Sequence, residues 1–333
     1  MGIIDVIAEE LEKVLGPAEV RKDEPMSAHT SFRCGGKAAV FAAPKDEAAL
    51  IACLRLLARR EAPYFLLGNG SNVLVCDGGY PGVVLSAANA LTEIRIEKNG
   101  DRNASDARSG PVPAGSVTAG AGVPLSALAK RAAAEGLSGL EPLSGIPGTL
   151  GGAVRMNAGA YGAEIADFVT EVEAYDLVAD KNILLPGDLC DFSYRRSGFQ
   201  EQPGLLVLRV RLALPYGDPE ENAARIREFA WKRGEKQPVE LPSAGSFFKR
   251  PSGDYAARLI EEAGLKGYSV GGAEVSRKHA GFIVNTGGAT AADVLAVAAH
   301  VRITVSAKFG ILLEEEPEII GVYGGQDVTG EPD

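Results

Sequence analysis

Residues 144–162, SGIPGTLGGAVRMNAGAYG, place the strongest constraint on what this chain can fold into. Six of these nineteen positions are glycine (Gly145, Gly148, Gly151, Gly152, Gly159 and Gly162), and Arg155 is the only charged residue among them. Glycine reaches positive φ without a Cβ penalty and lets a ligand or a second backbone approach the bare main chain. Ordering so many glycines costs conformational entropy. The stretch therefore serves either a close crossing of two backbones or a nest of successive N–H groups for phosphate oxygens. Its spacing is not the dinucleotide fingerprint, because Gly145, Gly148 and Gly151 fall three apart. No Gly-Lys-Ser/Thr follows to complete a Walker A loop.

A second glycine cluster, Gly68-Asn69-Gly70-Ser71-Asn72, separates short strands expected over residues 64–67 and 73–76. A Rossmann turn leads into a helix, whereas this one leads into a strand. Small hydroxyl and amide side chains on bare backbone suit a pyrophosphate. The same G-N-G is equally good chemistry for a plain β-turn.

With 333 residues the chain can bury a large core and fill two or three domains. A net charge of −10 argues against a general nucleic-acid binder. No apolar run approaches the length of a membrane span. The opening MGIIDVIAEELEKVLG carries acids early and no basic region, so no signal peptide is expected. Cys34, Cys53, Cys76 and Cys190 are scattered without a C-x-x-C pair, and there are only three histidines, which argues against a zinc site and fits a reducing cytoplasm. No obligate protein partner is signalled.

Apolar periodicity predicts helices over residues 3–15, 46–60, 125–135, 254–263 and 290–308, and another opening at Asp218-Pro219-Glu220-Glu221. Strands are expected over 38–43, 82–86, 91–97, 116–121, 168–176, 183–185 and 205–214. The polar run 99–115 reads as a hairpin loop. In the last third, residues 278–285 read as loop then strand and 311–320 as a final strand, interrupted by Glu314-Glu315-Glu316-Pro317-Glu318.

Six motifs then stand in one order along the chain: GNGSN, SGIPGTLGGAVRMNAGAYG, FSYRRS, SAGSFFKRP, KHAGFIVNTG and LLEEEPEIIG. Together they resemble the UDP-N-acetylenolpyruvoylglucosamine reductase family of flavoenzymes over nearly the whole chain. The short connection at 211–218 matches the branch without a tyrosine-bearing loop. The resemblance implies an α+β fold: a flavin-binding fold of the vanillyl-alcohol-oxidase type in two subdomains, residues 1–82 and 83–215, followed by an α/β substrate-binding domain over 216–333. It implies FAD and NADPH as cofactors, UDP-N-acetylglucosamine enolpyruvate as substrate, and a place in peptidoglycan precursor synthesis. An FAD-dependent oxidase on the same scaffold is the competing reading, together with a nucleotide-sugar sensor that lacks turnover.

The implied reaction adds hydride to C3 and a proton to C2 of an enol ether conjugated to a carboxylate. The motif match gives Arg195 the carboxylate–enolate, Ser246 the proton, and Glu316 the task of orienting the enolate with Arg195. Glu318 is the alternative to Glu316, since Pro317 departs from the family's usual pattern. The resemblance sets Gly68, Asn69, Gly70, Ser71 and Asn72 at the FAD pyrophosphate. It sets Gly145, Ile146, Gly148, Thr149, Gly151 and Gly152 near the flavin and phosphates, and Tyr194, Lys236 and Lys249 at the substrate, with Lys236 on its diphosphate. No metal is implied.

Overall fold

The computed structural model describes residues 2–98 and 115–323. The hairpin expected over 99–115 lies, except for Gly115, outside the described residues. The described chain forms two compact units, residues 2–42, 62–85 and 233–323 in one and 43–61, 86–98 and 115–232 in the other. Both mix helices and strands, so the class is α+β.

The first unit opens with the helix Ile3–Leu15, which buries Ile7, Ala8 and Leu11. It stops at Gly16, where φ is +87° and the N–H returns 2.8 Å to the Glu12 carbonyl. A four-stranded sheet follows in the order Val20–Pro25, Lys37–Ala42, Tyr80–Ser86, Tyr64–Leu67. Its first pair is antiparallel and its second parallel. The strand Val73–Val75 pairs in parallel with Glu318–Ile320.

The helix Ala291–Phe309 packs on an antiparallel sheet of Ser269–Val270, Ala273–Val275 and Ile283–Asn285. Val294, Val297, Ala298, Val301 and Val305 of that helix are fully buried, each valine contributing roughly 1.5–3 kcal/mol of apolar burial. Thr290 caps the helix through the Asp293 N–H, and Asp77 accepts the N–H groups of Ala291 and Ala292, each at 2.8 Å. Phe32, Leu74, Phe247, Phe248 and Leu313 belong to the same core, so the loop after residue 28 and the C-terminal segment share one apolar cluster.

The second unit is built on a five-stranded antiparallel sheet, ordered Lys181–Pro186, Val169–Asp176, Leu205–Leu214, Gly115–Gly120, Ile94–Lys98. The long central strand Leu205–Leu214 buries Leu206, Leu208, Val210, Leu212 and Leu214 in alternation. On its other face Arg209 pairs with Glu47, with Glu173 at 3.1 Å and with Glu93 at 3.2 Å. The helix Glu47–Arg59, capped by Asp46, buries Leu50, Cys53, Leu54, Leu56 and Leu57. The helix Pro219–Lys236 starts where expected, with Asp218 accepting the N–H groups of Glu220 at 2.8 Å and Glu221 at 3.0 Å.

Three expectations are revised. Val20–Pro25 is a strand, although its residues show no apolar alternation. The glycine-rich stretch contains a helix, Leu150–Met156. The final strand is confined to Glu318–Ile320, because Pro317 divides the segment.

Candidate active site

The loop 68–72 leaves the strand Tyr64–Leu67 and enters Val73–Val75. Gly70 sits at φ +60°, and a Cβ there would lie 2.0 Å from the carbonyl oxygen of His29, so no other residue fits without moving the main chain. The Gly70 carbonyl accepts the Ser31 N–H at 3.0 Å. Beside it, Thr30 is buried and its hydroxyl has no partner among the described residues. A buried hydroxyl costs stability unless something bonds it. Asn72 is tied to the C-terminal segment from both ends. Its Nδ2 donates to the Glu316 carbonyl at 3.2 Å, and its own carbonyl accepts the Glu318 N–H at 2.9 Å.

The second half of this unit presents Ser246. Gly245, at φ +81°, turns the chain, and Ser246 then pairs with Phe282 in a single antiparallel bridge. Phe247 donates its N–H to Gly281 at 2.8 Å and accepts that of Glu316 at 2.9 Å. Lys249 donates its N–H to Glu314 at 2.8 Å, and its ammonium lies 3.4 Å from the Glu314 carboxylate. Residues 246–249 are thus laced to 281–282 on one side and to 314–316 on the other. The Ser246 hydroxyl is exposed, Phe247 and Phe248 anchor the segment in the core, and Glu316 is half-buried. Lys236 stands exposed at the last position of its helix. The structure therefore brings Ser246, Lys249, Glu316 and Asn72 into one backbone network, with Glu318 at its far end.

In the second unit the glycine stretch serves two purposes. Gly151 is a packing glycine: its N–H reaches the Ala121 carbonyl at 2.8 Å, and a Cβ would come within 2.8 Å of the Ala121 Cβ. Gly145, Ile146 and Gly148 precede the helix as half-exposed loop, with the Gly148 carbonyl accepting the Leu125 N–H at 3.0 Å. Thr149 caps the helix through the exposed Gly152 N–H at 3.4 Å.

Tyr194 and Arg195 occupy the middle of a tight turn closed by Ser193 N–H to Arg196 O at 3.0 Å and Arg196 N–H to Ser193 O at 3.1 Å. Arg195 is held at φ +57°, which favours glycine. Its Nη2 donates to the Gly159 carbonyl at 3.1 Å, and its guanidinium carbon lies 5.1 Å from the Tyr194 ring centroid. A non-glycine residue in this conformation costs about 1–3 kcal/mol and persists where the surroundings demand it.

The chemistry of these groups fits a flavin dinucleotide and an anionic substrate. The 68–72 loop offers backbone, hydroxyl and amide donors with no acid in it, and Thr30 adds a buried hydroxyl that calls for a partner. Burial pushes the thiols of Cys34 and Cys53 up to about 12, so neither supplies a thiolate. Among the described residues no group of three or more His, Cys, Asp and Glu side chains is arranged to hold a metal ion.

Comparison with known proteins gives these features a context. Residues 38–180 match the family model for an FAD binding domain, and residues 237–320 match that for the C-terminal domain of UDP-N-acetylenolpyruvoylglucosamine reductase. The protein of that name from Caldanaerobacter subterraneus subsp. tengcongensis is 44% identical over 318 residues, covering 95% of this chain and 99% of the relative. The chain belongs to the UDP-N-acetylenolpyruvoylglucosamine reductase family. The reductase of Clostridioides difficile is 41% identical over 312 residues, covering 93% of this chain and 96% of that protein. The crystal structure of the Thermus caldophilus reductase superposes with a TM-score of 0.69 at 37% identity, covering 89% of this chain and 97% of that one. Both glycine motifs fall inside the FAD-binding match, and Ser246, Lys249 and Glu316 inside the reductase C-terminal match.

Neither Thr30 nor Asn157 is among the candidate site residues that the motifs supply. Thr30 lies in the HTSF run, outside the six motifs. Asn157 is buried in the glycine stretch at φ +42°. Only the asparagine there, a residue tolerant of that conformation, offered a signal.

Proposed function

We propose that this protein reduces the enolpyruvyl double bond of UDP-N-acetylglucosamine enolpyruvate to UDP-N-acetylmuramate with electrons from NADPH, in peptidoglycan precursor synthesis. The observation that carries the reading beyond family membership is the backbone network in which Phe247, next to Ser246, binds Glu316 while Glu316 binds Asn72 of the GNGSN loop. It ties a proton-donor candidate, a carboxylate candidate and a candidate cofactor loop into one rigid frame.

A bound FAD would supply the hydride chemistry that links NADPH to C3 of the substrate. Everything else falls to the chain's own residues. Gly68, Asn69, Gly70, Ser71 and Asn72 hold the pyrophosphate through backbone and small polar groups, with Thr30 alongside. Gly145, Ile146, Gly148, Thr149, Gly151 and Gly152 shape the wall near the flavin.

As the C3–H bond forms, negative charge moves onto the substrate carboxylate. Arg195 is charged at any working pH and offers a planar fork to that carboxylate. Tyr194 packs beside the guanidinium. The Ser246 hydroxyl gives its proton to C2. Such a weak acid serves only against a strongly basic carbanion-like centre. Glu316 orients the enolate with Arg195, and its N–H bond to the residue after Ser246 favours it over Glu318, whose N–H is spent on Asn72. Lys249, on the same ladder with its ammonium beside the Glu314 carboxylate, contacts the substrate, and Lys236 binds the diphosphate.

No helix among the described residues is long and apolar enough to cross a membrane. We place the reaction in the cytoplasm and assign it no nucleic-acid or protein partner.

The test is anaerobic. Bleaching of the flavin spectrum by NADPH, followed by its return on adding the enolpyruvyl sugar nucleotide, is the expected result. Return with air but not with that substrate assigns an oxidase instead. Failure to bind FAD on reconstitution removes the reading of both glycine motifs.

A further inference from the structure

We propose that Asn157 is a positioning residue for Arg195, acting through the carbonyl of Ser193. The proposal rests on the reading of Arg195 given above.

Asn157 is 1% exposed and ends the helix Leu150–Met156 in a left-handed conformation. Every polar atom of its side chain is committed. Its Nδ2 donates to Glu164 Oε2 at 2.8 Å and to the Ser193 carbonyl at 2.9 Å, while its Oδ1 accepts the Ala166 N–H at 3.2 Å. The Ser193 carbonyl is also the acceptor that closes the turn, from the Arg196 N–H at 3.1 Å. That turn holds Arg195 at φ +57°, a conformation an arginine leaves when nothing prevents it.

The Arg195 side chain returns to the same place. Its Nη2 rests on the carbonyl of Gly159, two residues beyond Asn157. From the other side the Arg195 carbonyl is gripped by Gln200 Nε2 at 3.2 Å. One buried amide therefore fixes the base of the turn relative to the short antiparallel pair Gly159–Ala160 and Ala163–Glu164, on which the guanidinium lies. Removing its donor leaves the Ser193 carbonyl to the turn bond alone and lets the strained turn relax. The guanidinium then shifts relative to the carboxylate it is to meet.

The test uses the FAD-loaded protein. Asn157→Asp keeps size and tolerance of left-handed backbone but removes both donors and faces Glu164 with a like charge. Adding Glu164→Gln removes that repulsion and restores a side-chain hydrogen bond of reversed polarity, while the link to Ser193 stays lost. Four quantities are read: FAD retention, flavin reduction by NADPH, reoxidation by the enolpyruvyl substrate, and hydrogen exchange of the 193–197 amides.

The double variant is expected to retain FAD and to be reduced by NADPH within about twofold of the parent. Its reoxidation by substrate falls by about 100-fold, the scale of a misplacement near 1 Å, and the Ser193 and Arg196 amides exchange faster. Reoxidation at the parental rate overturns the proposal. So does a parallel loss of both half-reactions, which marks a purely structural residue. Arg195→Ala, measured alongside, separates the two levels. If it slows reoxidation while the double variant does not, this inference alone fails; if it is silent, the reading of Arg195 fails and takes this one with it.

Discussion

Replacing Arg195 by glycine separates the conformational cost of this residue from its chemical use. An L-residue in the left-handed region costs roughly 1–2 kcal/mol, which glycine does not incur. Glycine gives back about 0.4–1 kcal/mol by loosening the unfolded chain. The lost hydrogen bond from Nη2 to the Gly159 carbonyl is worth about 1 kcal/mol on a half-buried side chain. The sum for Arg195→Gly lies within about 1 kcal/mol of zero. Arg195→Ala loses the same bond and keeps the left-handed strain, so it is less stable than the glycine variant by about 1 kcal/mol, or roughly 1–2 °C in melting temperature for a chain of 333 residues. Reoxidation by substrate falls by about 10²–10³ in both, the loss expected on removing one donor to developing negative charge. Thermal unfolding of the FAD-loaded variants at one fixed FAD concentration gives the stability order, and anaerobic stopped-flow gives the rate. An alanine variant as stable as the glycine variant refutes the strain argument, because the two differ in little besides the Cβ at φ +57°. A glycine variant that reoxidises at the parental rate refutes the chemical role.

Three further outcomes follow from the same geometry. Ser246→Ala is expected to leave flavin reduction by NADPH nearly intact while slowing reoxidation by the substrate; rapid-mixing absorbance separates the two, and an equal fall in both rejects the proton-donor role. Gly70→Ala forces a Cβ to 2.0 Å from the His29 carbonyl at φ +60°. The backbone strain alone is worth about 1–3 kcal/mol, so the variant should purify with little flavin, and a full complement of FAD would refute the fit. Asp293 accepts the N–H of Thr290 at 3.0 Å and of Gly272 at 3.3 Å, and the Thr290 bond leads in holding its carboxyl below the ordinary value. Its contribution is therefore present above its unfolded pKa of ~3.9 and lost as pH falls through the lower folded value. Asp293→Asn should flatten the acid limb of a plot of urea midpoint against pH; an unchanged slope would show that the pair does not drive that limb.

Much of the fold was legible because its elements bury one face. The Ile3–Leu15 and Leu205–Leu214 bounds are those the apolar period predicts, and Val294, Ala298, Val301 and Val305 fall on the buried face of the long helix as their spacing requires. Val20–Pro25 escaped for a physical reason. It is an edge strand with one neighbour, its only buried residue is Val20, and an edge position tolerates Pro25. It carries no alternation to read. The helix Leu150–Met156 escaped because Gly151 and Gly152 argue against a helix locally. Tertiary packing overrides them, since the approach of Ala121 leaves no room for a Cβ at Gly151.

The site divides along the same line. The roles proposed for Arg195 and Ser246 come from the motif match, which names a side chain at a fixed place in a short run. Residues that act by where the backbone puts them carry no such mark. Asn157 reaches a carbonyl thirty-six positions away, and no local pattern encodes that. Pro317 is the instructive case, because it weighed against Glu316 in the sequence. In the structure, the backbone bonds around Pro317 are made by its neighbours: the Glu314 carbonyl accepts from Lys249, the Glu316 N–H donates to Phe247 and the Glu318 N–H to Asn72. Pro317 itself sits at a bend between the single bridge at Glu315 and the strand Glu318–Ile320. Proline lacks an N–H, but the bonds here use the N–H groups of Glu316 and Glu318 on either side, so Pro317 removes none of them. It stands where the segment passes from Phe247 to Asn72, and the departure from the family pattern removes no backbone contact on which the assignment of Glu316 rests.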